Sequence, residues 1–152
     1  MPFSKINTAI DTIPKSDYLE VVDLWEASVR ATHHFLPESD IQYFRPLILN
    51  QYLDHVDLSC LRDLSGKIAG FLGVADGKIE MLFIHPEVRG KGVGKRLLLY
   101  AVQDLGAKEV DVNEQNEQAV GFYHHLGFKT ISRSPVDGMG KPYPLLHMSY
   151  TS

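Results

Sequence analysis

The chain has 152 residues, of which 44% are hydrophobic and 22% charged, a composition typical of one globular domain with a single core. Its formal net charge of −4 argues against nucleic acid as a general partner, because a phosphate backbone is bound by a positive face. The single cysteine, Cys60, permits no internal disulfide, and with no signal-like N-terminus or membrane-length apolar run we expect a cytoplasmic protein without membrane contact.

Two helices are predicted in the first third of the chain. A short strand over 4–9 precedes them, and Ser16 is a suitable N-cap for a helix that runs to about Arg30. The apolar residues of that stretch share one helical face, as a buried face requires. Pro37 could open the second helix, which Pro46 should kink or break because proline lacks the backbone N–H.

Strands dominate the rest of the chain. Residues 57–85 indicate a three-stranded antiparallel meander, with Asp76-Gly77 as the turn between its second and third strands. The elements expected after the meander are a helix over about 92–105, a strand over 108–113, a helix over 116–126, and strands that begin at Phe128 and Leu145. Antiparallel hairpins followed by a strand–helix–strand crossover indicate an α+β fold with a mixed sheet, in one domain over residues 1–152.

The stretch from Met81 to Tyr100 carries the strongest functional signal. A buried strand leads into a glycine-rich turn and then into a helix, whose first N–H groups are unpaired and favour an anion. Cations crowd this helix start at Arg89, Lys91, Lys95 and Arg96, where they are unfavourable unless a negative ligand offsets them. The pattern predicts a site for a phosphorylated cofactor. The residues expected to bind it are Arg89, Gly90, Lys91, Gly92, Val93, Gly94 and Lys95.

The spacing of the glycines decides which kind of phosphate loop this is. Only three residues separate Gly90 from Gly94, too few for a Walker A loop, and the third glycine comes one residue early for a dinucleotide fingerprint. The pattern Arg/Gln-x-x-Gly-x-Gly/Ala does fit, through Arg89, Gly92 and Gly94. This loop resembles the acyl-CoA pyrophosphate loop of the GNAT (Gcn5-related N-acetyltransferase) superfamily.

A second motif lies downstream of the loop. The segment Asn116-Glu-Gln-Ala-Val-Gly-Phe-Tyr-His-His-Leu-Gly-Phe128 resembles the family pattern Asn-x-x-Ala-x-x-Phe-Tyr-x-x-x-Gly-Phe. Within the superfamily the chain is most similar to the small bacterial YjaB-like group, judged by Thr32-His-His-Phe-Leu36 and Pro142-Tyr-Pro-Leu-Leu-His-Met148. The specific resemblance covers residues 79–128, about a third of the chain.

The resemblance has consequences for fold and activity. It implies a mostly antiparallel sheet of six to seven strands, flanked by about four helices, in which strands 79–85 and 108–113 are parallel, splay apart and admit the pantetheine arm. It implies an N-acetyltransferase that uses acetyl-CoA as acyl donor, without a metal, and a primary amine that attacks directly in a ternary complex. A rival from another class is a non-catalytic acyl-CoA-binding sensor or regulatory module.

The thiolate that leaves such a reaction needs a proton. Asn116 and Tyr123 are two helical turns apart on one face, with the small Ala119 between them. The family resemblance assigns Tyr123 as the proton donor and Asn116 as a pantetheine contact, whereas the residues alone favour an aromatic core. Backbone groups of the splayed strand are expected to bind the pantetheine amides and polarise the thioester carbonyl. Those residues are Leu82, Phe83 and Ile84.

The attacking amine must lose a proton. An amine with a pKa of about 10.4 is neutral in roughly one molecule in a few thousand at pH 7, so a proton acceptor is expected, directly or through water. Glu80 alternates with Leu82 and Ile84 and should share their strand face. Asp111 matches a position used for the base in some ribosomal-protein acetyltransferases. Either acid could instead be an ordinary solvated strand residue.

The acceptor pocket is expected from residues 25–50 and 134–147, and the acceptor could be a small-molecule amine or a protein or peptide amine. Its predicted lining residues are Trp25, His33, His34 and His147, although structural histidines are an alternative. The histidine spacing fits no metal-binding motif, and Cys60 has no evident base partner for a covalent acyl-cysteine. The oligomeric state is open between monomer and homodimer.

Overall fold

A computed structural model describes residues 2–151. Within them lie four α-helices: α1 (Tyr18–Thr32), α2 (Glu38–Asn50), α3 (Val93–Gln103) and α4 (Glu117–His125). The seven strands of the same range are β1 (Asp11–Thr12), β2 (Asp57–Arg62), β3 (Ile68–Ala75), β4 (Lys78–Ile84), β5 (Glu109–Asn113), β6 (Phe128–Ser134) and β7 (Leu145–Tyr150). They form one sheet in the order β1-β2-β3-β4-β5-β7-β6, which confirms the α+β mixed sheet. No helix in the described range is both long and apolar enough to cross a membrane.

The centre of the sheet holds its one parallel contact within residues 2–151. β4 and β5 pair only at Lys78 with Glu109 and at Ile79 with Val110, whereas the other neighbouring strands are antiparallel. β4 continues for five residues beyond Ile79, to Ile84, without further pairing to β5. The two strands therefore separate, which confirms the splayed pair that the family resemblance implied.

Helices cover the sheet from both sides. On one side α3 packs on β3 and β4, and α4 packs on β5 and β6, around fully buried residues such as Leu97 and Phe128. On the other side α1 packs on β3 and β4, with α2 against it, around Val21, Trp25 and Phe71. α1 makes its main sheet contacts with β3 and β4 and not with β5, β7 or β6. The splay between β4 and β5 therefore lies at the edge of the region that α1 and α2 cover.

The N-terminal strand predicted over 4–9 is wrong. Ile6 makes only an isolated bridge with Asp63, and the first strand lies later, at Asp11–Thr12. The side chain of Asn7 explains the interruption, because its Oδ1 accepts a hydrogen bond from the backbone N–H of Ala9, 3.3 Å away. An Asx turn of this kind bends the chain where a strand would have to stay extended.

Two helix expectations also need correction. α1 begins at Tyr18, after a 3-10 turn over Lys15–Asp17, so Ser16 lies inside that turn and is not the N-cap. α2 starts after Pro37, as expected, but continues through Pro46 to Asn50. Pro46 is exposed, so the carbonyl that its missing N–H leaves unpaired can be hydrated, while Ile41 and Ile48 hold the opposite face in the core.

Candidate active site

The separation of β4 and β5 opens a cleft of about 580 Å³, called the strand cleft below. Its walls come from β4, the loop after it, the first turn of α3, β5 and α4. Eleven of the residues predicted to bind a cofactor line it, namely Leu82, Phe83, Ile84, Arg89, Gly90, Gly92, Val93, Gly94, Lys95, Asn116 and Tyr123. The remaining predicted residue, Lys91, is exposed on the loop and does not line the cleft.

The loop between β4 and α3 needs glycine for its backbone. Gly90 and Gly92 have φ of +80° and +81°, in the left-handed region that side chains disfavour, and Gly92 is the N-cap of α3. A Cβ atom added at either glycine would meet nothing within 4 Å, so the space above them is open. Gly94 has ordinary φ, and a Cβ atom there would lie 3.5 Å from Ile84 and Phe122. The first N–H groups of α3 have no partner within the helix, and residues of this first turn line the cleft.

The cations at this helix start have different partners. The guanidinium of Arg89 donates to the side-chain oxygen of Gln118 on α4, a contact that joins two walls of the strand cleft. Arg96 donates to the backbone carbonyls of Asn7 and Thr8, at 3.0 and 2.6 Å. Both guanidinium groups thus have hydrogen-bond partners within the fold, whereas Lys91 and Lys95 are exposed.

Tyr123 lies deep in the strand cleft with 7% of its surface exposed. Its ring meets those of Phe122 and Phe128 edge-on, at centroid distances of 5.2 and 5.5 Å. Its hydroxyl has no hydrogen-bond partner among residues 2–151, and no fully buried side-chain polar atom in that range is unpaired, so the hydroxyl is open to the cleft. Burial raises the pKa of Tyr123, and the phenol therefore stays protonated at neutral pH.

Asn116 has a structural role beside the predicted one. It is the N-cap of α4, and its Oδ1 accepts a hydrogen bond from the N–H of Ala119 at 3.2 Å. The side-chain NH2 group of Asn116 takes no part in this cap, and Asn116 lines the strand cleft. The cap fixes the side chain in one orientation, so a donor is held in place at the cleft wall.

A second cavity of about 620 Å³ adjoins the strand cleft. Its wall is largely apolar and aromatic, from Trp25, Val29, Phe35, Leu36, Phe44, Ile48, Tyr52, Val56, Ala75, Met81, Phe83 and Tyr143. The polar lining residues are His33, His55, Glu80, Asn113 and Asp137. Five residues line both spaces, namely His33, Glu80, Met81, Phe83 and Asn113, so the two cavities border each other at a junction formed by these residues.

Glu80 lies at this junction on a β-bulge. Gly73 pairs with Met81 and Val74 pairs with Ile79, so Glu80 has no counterpart on β3. The bulge interrupts simple alternation, because Ile79 packs in the same cluster as Leu82, three residues along. The alternation used to place Glu80 on the face of Leu82 and Ile84 therefore does not hold along the whole strand. Glu80 is exposed and lines both cavities.

The tautomer of His33 follows from its neighbours. The hydroxyl of Thr32 donates its only proton to the carbonyl of Ser28, 2.8 Å away, so the 2.8 Å contact with His33 must be donated by Nδ1–H. Burial, and then the charge of His34, lowers the pKa of His33 to about 4, so the ring is neutral at pH 7. Nε2 then carries a lone pair. It has no partner among residues 2–151 and is not fully buried, so it is open towards the cavities that His33 lines.

The other predicted pocket histidines lie elsewhere. His34 is exposed and lines neither cavity. His147 also lines neither, and instead links two strands, with Nδ1 2.6 Å from Asp111 and Nε2 2.6 Å from Ser134. Trp25, 5% exposed, does form part of the second cavity's wall, as predicted.

Asp111 is fully engaged by its neighbours. Its two oxygens meet His147 and, at 2.7 Å, the ammonium of Lys78. Burial alone would raise the pKa of Asp111, but the hydrogen bonds from Lys78 and His147 outweigh it and lower that pKa. A carboxylate with both oxygens paired and a lowered pKa is a poor proton acceptor, so the geometry favours Glu80 over Asp111 as the base.

Contacts that the sequence did not predict hold one wall of the second cavity. Tyr143 donates from its hydroxyl to Asp40, and Lys141 lies 3.3 Å from the same carboxylate. The ring of Tyr143 also packs against Phe35, with 5.8 Å between centroids. These contacts join the β6–β7 loop to α2 and to the turn before it. The sequence predicts the segments that form this wall, 25–50 and 134–147, but not the contacts between them.

Metal-binding side chains and the cysteine thiol form no second reactive site within the described residues. No group of three or more His, Cys, Asp or Glu side chains within residues 2–151 is arranged to hold a metal ion. Cys60 is fully buried, and burial raises the pKa of its thiol to about 11, so it is not a nucleophile at neutral pH.

Comparison with known proteins agrees with this geometry. The model described as "Acetyltransferase (GNAT) domain" matches residues 42–149. "Peptidyl-lysine N-acetyltransferase YjaB" of Escherichia coli (strain K12) is 41% identical over 131 residues, 86% of this chain and 88% of that protein. The solution structure of apo YjaB from Escherichia coli superposes with a TM-score of 0.86 at 38% identity, covering 97% of this chain and 98% of that one.

A more distant structure shares the fold. It is the PaiA N-acetyltransferase of Thermoplasma acidophilum in complex with coenzyme A, with a TM-score of 0.74 at 20% identity over 97% of this chain and 99% of that one. The likeness to the YjaB-like group, inferred from two short segments, is confirmed by the relative and the solution structure. Since the family model spans more than two thirds of the chain and the family's motifs line the strand cleft, the chain belongs to the GNAT family of N-acetyltransferases.

Proposed function

We propose that the protein transfers the acetyl group of acetyl-CoA to a primary amine, by direct attack of the amine in a ternary complex. The observation that carries the proposal is the junction of the two cavities at Glu80 and His33. A donor in the strand cleft and an acceptor in the second cavity would meet there without a covalent relay through the protein. The enzymatic name of the YjaB relative favours this function over the non-catalytic sensor.

The strand cleft fits coenzyme A. A distant structural neighbour is a complex with coenzyme A, and the open space above Gly90 and Gly92 suits a pyrophosphate at the α3 N-terminus. The backbone of β4 beyond Ile79 offers hydrogen-bonding groups on the side that β5 leaves, which suits the amides of pantetheine. When bound, acetyl-CoA supplies an activated acyl group as a thioester.

The protein's own residues move the protons. A C–N bond forms and the C–S bond breaks, so the amine gives up one proton and the sulfur takes one. We assign Glu80 as the acceptor of the amine proton, directly or through water, and Tyr123 as the donor to the sulfur. The raised pKa of Tyr123 keeps its hydroxyl protonated and ready to donate, and its open hydroxyl faces the cleft.

The name of the YjaB relative indicates the chemical class of the acceptor but not its identity in this protein. YjaB is named for peptidyl-lysine, whose ε-amine is a primary amine, so a lysine peptide is the first acceptor to test. A cytoplasmic location is part of the proposal, because the sequence has one cysteine, and that residue is buried and unreactive.

The experiment is an assay of free thiol release with acetyl-CoA and a panel of lysine peptides and small amines, run beside calorimetry with acetyl-CoA alone. We expect micromolar-range binding and amine-dependent thiol release, with the acetylated amine identified by mass. Binding of acetyl-CoA without thiol release for any amine would contradict the proposal and support the sensor instead.

A further inference from the structure

We infer that the second cavity accepts a small primary amine with an apolar, preferably aromatic, body, such as an arylalkylamine, as an acceptor distinct from a protein lysine. The inference rests on the proposed function, because it assigns the amine that this site acetylates. It comes from the lining of the second cavity, the contacts that hold its wall and its charge.

The lining suits an apolar body better than an extended peptide. The rings of Trp25, Phe44, Tyr52 and Tyr143 face a space of about 620 Å³. Pockets for compact organic ligands occupy about 300–1,000 Å³ and are mostly apolar with a few polar groups, as here. The thin methylene chain of a lysine would leave much of this wall without a contact, whereas an aromatic ring would cover it.

Contacts between distant segments hold one wall of the cavity. Phe35 and Tyr143 both line it and touch each other through their rings, and Asp40 bonds to Tyr143 and to Lys141 of the same loop. The turn before α2 and the β6–β7 loop are thereby joined over the wall. A wall held by these contacts is already formed before an amine binds, which favours a compact body that fits it.

The charges select an amine rather than an acid. The acids among the lining residues are Glu80 and Asp137, and no Lys or Arg of the described range lines the cavity. Glu80 and the lone pair on Nε2 of His33 both accept hydrogen bonds, and both residues line the mouth shared with the strand cleft. An amino group would be held at that mouth, with its apolar body directed into the cavity.

The test compares acceptors of equal amine chemistry and different bodies. Thiol release is measured with ethylamine, 2-phenylethylamine, tryptamine and a lysine peptide, and binding of the same amines to the protein–coenzyme A complex is measured by calorimetry. We expect kcat/KM for 2-phenylethylamine to exceed that for ethylamine by at least about tenfold, since each apolar group placed in such a pocket changes discrimination by about that factor.

A blocked variant assigns the effect to the cavity. Ala75, at the end of β3, lines the second cavity and not the strand cleft. Ala75→Leu should reduce kcat/KM for tryptamine by about tenfold or more, and by a smaller factor for ethylamine. Unchanged acetyl-CoA affinity in this variant checks that it is folded. Phe44→Ala, which removes one aromatic wall, should weaken binding of 2-phenylethylamine more than binding of ethylamine.

The outcomes separate the inference from the proposed function. If the lysine peptide is acetylated but the aromatic amines are no better than ethylamine in turnover and binding, the inference is overturned and the acetyltransferase function stands. If no amine releases thiol although acetyl-CoA binds, the proposed function fails and the inference falls with it. Selective loss of the aromatic amines in Ala75→Leu supports both.

Discussion

The strand cleft and the second cavity are built in different ways. The cleft comes mostly from one stretch, residues 79–123, and works through glycines, helix ends and strand backbone. The second cavity takes its wall from α1, α2, the ends of β3 and β4 and a loop near the C-terminus, and works through side chains. A site made of backbone is fixed by local rules, whereas a site made of side chains depends on which distant segments the fold brings together.

The sharpest way to break the cleft alone is a charge at Gly94. Its ordinary φ and its 3.5 Å neighbours allow a side chain, and an acid in the first turn of α3 is favourable for the helix itself. Gly94→Asp should nevertheless lower acetyl-CoA affinity by about a hundredfold or more, because like charges would meet at the phosphates. Gly94→Asn, of the same shape without the charge, should lose much less in calorimetry. Equal affinities for the two variants would contradict the loop assignment.

A smaller change at the cleft wall tests chemistry without altering the backbone. Tyr123→Phe keeps the ring contacts with Phe122 and Phe128 and removes only the hydroxyl. We expect turnover to fall by about ten- to a thousandfold, with acetyl-CoA affinity nearly unchanged. Turnover equal to the original protein would show that water or another group protonates the sulfur.

Glu80 and Asp111 are the two candidates for the general base, and matched amide variants distinguish them. Glu80→Gln should lower turnover by about tenfold to a hundredfold near pH 7, and the defect should shrink as pH approaches the pKa of the amine, which then arrives neutral. Asp111→Asn is the matched control, since that acid is bound to Lys78 and His147. It should affect stability more than the pH–rate profile. If the pH–rate profiles of both variants match that of the original protein, an ordered water chain is the better assignment for the base.

His33, which lines both cavities, carries a cost at acid pH. The folded protein holds the pKa of His33 at about 4, below its ordinary 6.5, so the unfolded chain binds the proton first as pH falls. The stability that the neutral ring contributes is complete above pH 6.5 and is lost between pH 6.5 and 4, by about 2 kcal/mol at pH 5. Urea unfolding of His33→Gln, which cannot titrate, should lack this part of the decline. His85, whose pKa burial also lowers, is present in both proteins and cancels.

Most of the residues that line the strand cleft could be predicted from the sequence, because the cleft is built from local features of the chain. Left-handed glycines, the helix start at Gly92 and the cap at Asn116 are set by residues a few positions apart. The parallel, splayed strands came from family resemblance, because periodicity along one strand does not reveal its partner's direction.

Contacts between distant residues escaped prediction. Asp40 and Tyr143 are 103 positions apart, and Asp111 and His147 are 36 apart. Nothing in the local pattern around His147 shows that it faces a carboxylate and not an amine. The bulge at Glu80 also escaped, since an unpaired residue in a strand is defined by the register of its neighbour.

The brief pairing of β4 with β5 bears on how the molecule holds together. β1–β4 with α3, and β5–β7 with α4, are two antiparallel half-sheets, each with its own helix, joined in the sheet by two residue pairs. The side of β4 beyond Ile79 is thus an interior edge, of the kind that proteins usually cover. A pantetheine chain lying along that edge would complete the sheet as well as deliver an acyl group. Cofactor binding should therefore protect β4 amides from hydrogen exchange and resist separation of the halves.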